Sequence, residues 1–194
     1  MASEIEKEMI VVVLNQRQLH AADKLFQLVC QSLANESAGI HAETAISTVA
    51  RLAGSALFRT FWFGEALVFS KEPGSAVFSE EANTEGPKLV DLLVQLLDAS
   101  GIQVDQQKMK IAKYDKPHLT FIMSMNLIQE NAYKIKDEFN LSLEELAQSS
   151  VLTTYKLMVE TRNVVGVESS FKLAIYSFVE GTKAVPPGLT TSKS

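Results

Sequence analysis

Cysteine is almost missing from this chain: Cys30 is the only one in 194 residues. An internal disulfide and a multi-thiolate zinc cluster are therefore excluded. The nine glycines are scattered, so no loop is rich enough in them to cradle a pyrophosphate. The dinucleotide fingerprint G-x-G-x-x-G, the P-loop, the nucleophile elbow G-x-S-x-G and the zinc-protease H-E-x-x-H do not occur. Excess positive charge is lacking too. Eighteen basic residues against 23 acidic ones give −5 and a pI near 5.3, which argues against a nucleic-acid binder that works by bulk charge. Long apolar runs are absent. Met9–Leu14 is short and Phe61–Phe69 is interrupted by Glu65, far from the roughly 20 apolar residues that span a bilayer. Glu4, Glu6 and Glu8 make the N-terminus acidic, where a secretory signal would be basic. The expectation is a cytoplasmic protein that does not enter a membrane.

What is present is ordinary globular composition, with 46% hydrophobic and 21% charged residues, enough for one domain with a core. That domain is expected over residues 1–183, with 184–194, rich in Pro, Ser, Thr and Lys, as a disordered tail. Leu89, Leu92, Leu93, Leu96 and Leu97 repeat on one face of a helix predicted over Glu85–Ala99, and Val90 and Val94 widen the stripe. Ser100-Gly101 supplies the stop. Ser142 and Glu145 form a capping box between Leu141 and Leu146, starting a helix that runs to about Thr161. After a break at Asn163–Gly166, Val167, Phe171, Ala174, Ile175 and Phe178 mark a last helix.

Toward the N-terminus, one helix is predicted over Asn15–Ala34, capped by Asn15 and Gln18, and another over Ala42–Phe61. The second is full of small residues, and Gly54 inside it costs about 1 kcal/mol against alanine; close approach by a neighbouring helix would compensate. Ser3 and Glu6 form an equally good capping box, so Met9–Leu14 fits a helical extension, while the β-branched run Ile10–Val13 fits a strand as well. Residues 66–78 read as a small β-hairpin across Pro73-Gly74. Pro117–Phe139 has a helical repeat, with a strand-like alternation from Leu119 to Met125. The fold class is all-α, a single bundle of five to seven helices with that one hairpin.

Residues able to do chemistry are few. His20, His41 and His118 each have an acid nearby in sequence, Asp23, Glu43 and Asp115 respectively, but no Glu-x-x-His pair occurs. They are read as surface polar residues, and no metal or cofactor is assigned. Cys30 reads as a buried, inert thiol. Glu80-Glu81 reads as part of a solvated acidic loop. Lys108, Lys110, Lys113, Lys116 and His118 form the one basic cluster, interrupted by acids and read as a solvated loop.

Leu141 through Val151 resembles the first helix and turn of helix-turn-helix repressors. The resemblance implies that Leu152–Thr161 would enter the DNA major groove with Thr153, Thr154, Tyr155 and Lys156, and with Arg162 at its end. Ser150 stands where that family usually has a turn glycine. An ordinary capped helix accounts for the same residues.

The function expected is non-enzymatic association with itself, a partner or a small apolar ligand. The small-residue face of Ala42–Ala56 and the wide Leu89–Leu97 stripe favour a homodimer. A ligand site is expected at Phe58, Arg59 and Trp62, where aromatic residues surround one arginine. An apolar rim with a fixed guanidinium suits an amphipathic carboxylate. The competing reading makes the aromatics core and pairs Arg59 with a structural acid such as Glu65. A helix-turn-helix regulator over 141–162 is the alternative function, and an enzyme whose site carries no linear motif is the second alternative.

Overall fold

The computed structural model describes residues 14–34, 39–62, 68 and 70–189. Of Met9–Leu14, all but Leu14 lie outside them. Among the described residues the chain forms seven α-helices and no strand. They are α1 (Gln16–Leu33), α2 (Ala42–Phe61), α3 (Glu80–Ala99), α4 (Gln106–Ile111), α5 (Phe121–Glu138), α6 (Leu143–Thr161) and α7 (Val167–Lys183). None is long and apolar enough to cross a membrane.

The capping boxes of Asn15 with Gln18 and of Ser142 with Glu145 form, while Ser3 and Glu6 lie outside the described residues. The two boxes that form meet each other. Asn15 Nδ2 donates to Glu145 Oε1 at 3.0 Å, and Arg17 reaches the same oxygen at 3.3 Å. Further along, Gln18 bonds Gln148, Thr153 Oγ1 donates to the Ala22 carbonyl, and Lys156 pairs with Asp23. α1 and α6 therefore run parallel, with their N-termini joined. The Ser142 backbone N–H, followed by the Asn15 side chain and the Arg17 charge, outweighs desolvation and holds the Glu145 carboxyl below its ordinary range.

α2 is the axis of the bundle. Every residue from Ala42 to Phe58 is buried, and α7, α6, α3, α5 and α1 pack around it. A helix apolar or small on all sides belongs in the interior. The compensation expected for Gly54 is found against α7. A Cβ at Gly54 would stand 2.8 Å from Gly181 Cα and nearer still to the Phe178 carbonyl; a Cβ at Gly181 would stand 2.9 Å from Gly54 Cα. The two backbones touch where neither residue has a side chain. This consumes within one chain the small-residue face from which a homodimer was expected. Leu89, Leu92, Leu93 and Leu97 are buried in the same core, Leu96 and Val90 are half-buried, and Val94 is exposed.

Several sequence expectations need correction. α3 begins at Glu80, because Ser79 Oγ accepts from the Ala82 N–H at 3.0 Å. Glu80 and Glu81 are thus its first turn, where the helix dipole favours carboxylates, and not a loop. α4 carried no long apolar repeat and was not anticipated. The helix expected from Pro117 starts at Phe121, with Thr120 as its cap. Of the hairpin expected over 66–78, only residues 68 and 70–78 are described, and no strand is found among them. Residues 63–67 and 69 lie outside the described residues, and 74–77 pair with the C-terminal segment: Gly74 N–H donates to Val185 O at 2.7 Å, Val185 N–H to Ser75 O at 2.9 Å, and Val77 N–H to Lys183 O at 2.7 Å. The tail expected to be disordered from Ala184 is accordingly buried through Ala184, Val185 and Pro186; residues 190–194 lie outside the described residues.

The helix-turn-helix geometry is also absent. α6 is uninterrupted through the position of the supposed turn. Ser149 and Ser150 donate to the carbonyls of Glu145 and Leu146 at 2.8 Å, while Thr153 and Thr154 donate to those of Ser149 and Ser150 at 2.9 Å. These four side chains are fully buried and cannot face a DNA groove.

Gly54→Ala is expected to destabilise the fold by about 3 kcal/mol, because an added methyl would meet main-chain atoms that no side-chain rotation can clear. Urea denaturation followed by far-UV circular dichroism measures this, and an unchanged midpoint would contradict the backbone contact.

Candidate functional site

Phe58, Arg59 and Trp62 do lie together, at the C-terminal end of α2. Phe58 is wholly buried in a small cluster with Val68, Val77 and Val185, and Trp62 packs on it with ring centroids 6.3 Å apart. Arg59 turns the other way. Its Nη2 donates to the Pro187 carbonyl at 2.6 Å and to Gln129 Oε1 at 3.2 Å, and the guanidinium lies 5.7 Å from the Tyr133 ring centroid. Gln129 Nε2 donates to the same Pro187 carbonyl at 3.0 Å. The site therefore does receive an oxygen, but one belonging to the chain's own C-terminal segment. Glu65, the acid proposed as a partner, lies outside the described residues.

Burial dominates the electrostatics here. It lowers the Arg59 pKa, against a smaller opposing effect of Tyr133, and pushes the Tyr133 phenol up to about 12, against a smaller pull from the Arg59 charge. The Tyr133 hydroxyl is buried and finds no hydrogen-bond partner among the described residues.

Arg51, buried where Arg59 is half-buried, was not singled out from the sequence. Arg51 Nε pairs with Glu180 Oε2 at 2.7 Å, and its Nη1 donates to the Leu119 carbonyl at 2.7 Å and to Ser124 Oγ at 3.0 Å. It helps fasten an irregular segment, 112–120, whose backbone is held by side chains. Lys172 takes the Ala112 carbonyl and Ser169 that of Lys113; the N–H groups of Asp115 and His118 donate to Glu43 and Thr44. A charged residue in a small-residue helix was the available signal.

That fastening also joins two of the histidine–acid pairs. His41 and His118 stack with ring centroids 3.9 Å apart, and His41, Glu43 and Asp115 bring one donor atom each within 4.8 Å of one another. His20 and Asp23 do not form such a group. His20 lies against Phe139, and Asp23 pairs with Lys156. Cys30 is half-buried, and burial raises its thiol pKa, which keeps it protonated and unreactive.

Two clefts lie between α3 and α7. The larger, about 480 Å³, is walled by Val94, Leu97, Ile102, Val104, Met109 and Phe171, with Asp98 and Lys110 also in its lining. The other, about 340 Å³, is bounded by Gly86, Pro87, Val90, Ile175, Phe178 and Val179. Pro87 lacks an N–H and cannot bond the carbonyl one turn earlier, at Asn83, which also borders this cleft.

No protein-family model matches the chain, and neither the curated proteins nor the solved structures yield a match.

Arg59→Ala is expected to cost about 2–3 kcal/mol, since it removes a charged donor from a carbonyl and an amide held in the interior. Chemical denaturation should show the loss, with Arg59→Lys intermediate because an ammonium lacks the planar fork. Wild-type stability in Arg59→Ala would show that the C-terminal segment is held without it.

Proposed function

We propose that this chain is a non-enzymatic binding protein for a small amphipathic molecule, held in the larger cleft between α3, α4 and α7. The cleft itself supports the reading. Its volume of about 480 Å³ falls within the roughly 300–1,000 Å³ of small-molecule sites, which combine apolar walls with a few polar groups. The walls come from α3, the turn after it, α4 and α7, so the site is built by tertiary packing and has no linear motif. The sequence reading of an apolar surface with one cation is kept, but moved. Arg59 is engaged with Pro187, and the cation here is Lys110, suited to an anionic head group on an apolar body.

A homodimer is the second reading, favoured by exposed apolar side chains of α3 and α7, two of which border these clefts. Val94, Tyr176 and Val179 are 37%, 58% and 45% exposed, and a second copy closing over this face would bury them.

The test is binding of 1-anilinonaphthalene-8-sulfonate to the full chain, with displacement by decanoate. Saturable fluorescence that decanoate reverses is expected, weakened at least tenfold in Val104→Trp, whose indole fills the cleft, with an unchanged circular dichroism spectrum. Equal binding by wild type and Val104→Trp would overturn the ligand reading. Sedimentation velocity at tens of micromolar tests the dimer separately; a single monomer boundary removes it.

A further inference from the structure

We infer that His41, Glu43 and Asp115 form a binding site for one divalent transition-metal ion, independent of the cleft between α3 and α7. The three residues belong to two stretches distant in sequence, the start of α2 and the segment 112–120. Their donor atoms lie within 4.8 Å of one another. Around an ion with bonds of about 2.1 Å, neighbouring donors stand roughly 3–3.5 Å apart, so the widest separation must close by roughly 1.3–1.8 Å. Asp115 is exposed and its carboxylate makes no hydrogen bond or ion pair among the described residues, so it is free to make that movement.

The imidazole is already oriented. Its Nδ1 faces Thr44 Oγ1 at 2.8 Å, which turns Nε2 toward the acids, 3.5 Å from Glu43 Oε2. The Thr44 hydroxyl accepts the His118 N–H at 2.9 Å and keeps a second lone pair. With Nδ1–H donated to that lone pair, Nε2 is a neutral ligand, the usual way an outer hydrogen bond fixes the tautomer of a metal-bound histidine. The longer contact from the Thr44 N–H to Nδ1, at 3.3 Å, is the interaction given up.

Charge points the same way. The Glu43 side chain is only 11% exposed, and among the described residues neither it nor Asp115 forms an ion pair with lysine or arginine. A buried carboxylate needs a cation or strong donors. The positive end of α2 opposes a metal, but it amounts to roughly half a charge against two carboxylates. One imidazole and two carboxylates suit zinc or manganese better than magnesium, which prefers oxygen alone. Three protein ligands leave coordination open for water.

Isothermal titration calorimetry of the untagged full chain with ZnCl2 tests the assignment. One equivalent should bind with micromolar affinity, and MgCl2 at the same concentrations should give no saturable heat. Asp115→Asn and Glu43→Gln should each weaken zinc at least tenfold, the lower end of the effect of disturbing a metal's ligand shell. Asp115→Asn should leave the metal-free melting temperature unchanged, so it carries the test even if Glu43→Gln folds poorly. Absence of saturable zinc binding, equal binding by Asp115→Asn, or magnesium binding as tight as zinc would each overturn the site. Equal binding by the variant would place the ion on other donors.

Discussion

The structure depends on one backbone contact. Gly54 of α2 and Gly181 of α7 meet with no side chain between them, each leaving no room for a methyl on the other. Interhelical distances are set by the side chains at the contact, so two glycines draw these axes closer than any other pair of residues would. That approach brings Arg51 of α2 within reach of Glu180 of α7. It also carries the chain past Lys183 into pairing with 74–77 and onto Arg59.

The central position of α2 imposes a second constraint. Polar groups buried on it look to protein rather than water for partners, and the Ser55 hydroxyl finds none among the described residues. Arg51 and Arg59 find theirs in irregular segments, Arg51 through the Leu119 carbonyl and Arg59 through that of Pro187. Segments outside helices need partners for their own backbone groups. The arginines of the axis and the connecting chain thus supply what the other lacks. His41 and Thr44 do the same at the N-terminal end, holding α2's first turn and the backbone of His118.

The helices were legible because their signals are local. The capping boxes at Asn15 and Ser142, the leucine repeat of α3 and the break at Gly166 each act within a few residues of chain. The course of 74–78 and 184–187 was not legible, since antiparallel pairing between distant segments leaves no periodicity in either. The proline-rich composition after Ala184 suggested a solvated tail, yet proline offers a carbonyl, and the Pro187 carbonyl is the group Arg59 binds. At the candidate sites, the sequence showed which residue types were present but not which would meet. Phe58 and Trp62 pack on each other, whereas Arg59 reaches Gln129 and lies by Tyr133. The pairs His41–Glu43 and Asp115–His118 were each visible, and only tertiary packing brought them together.

The junction of Gly54 and Gly181 also has a bearing on biosynthesis. α2 leaves the ribosome long before α7 exists, carrying on every side surface that the finished fold buries. Local contacts form early, while those between distant segments wait for the intervening chain. α1 cannot enclose α2 alone, because most of its cover comes from α6 and α7. Until residue 183 has emerged, the axis of the bundle is exposed to the cell, and a nascent chain in that state is what chaperones recognise.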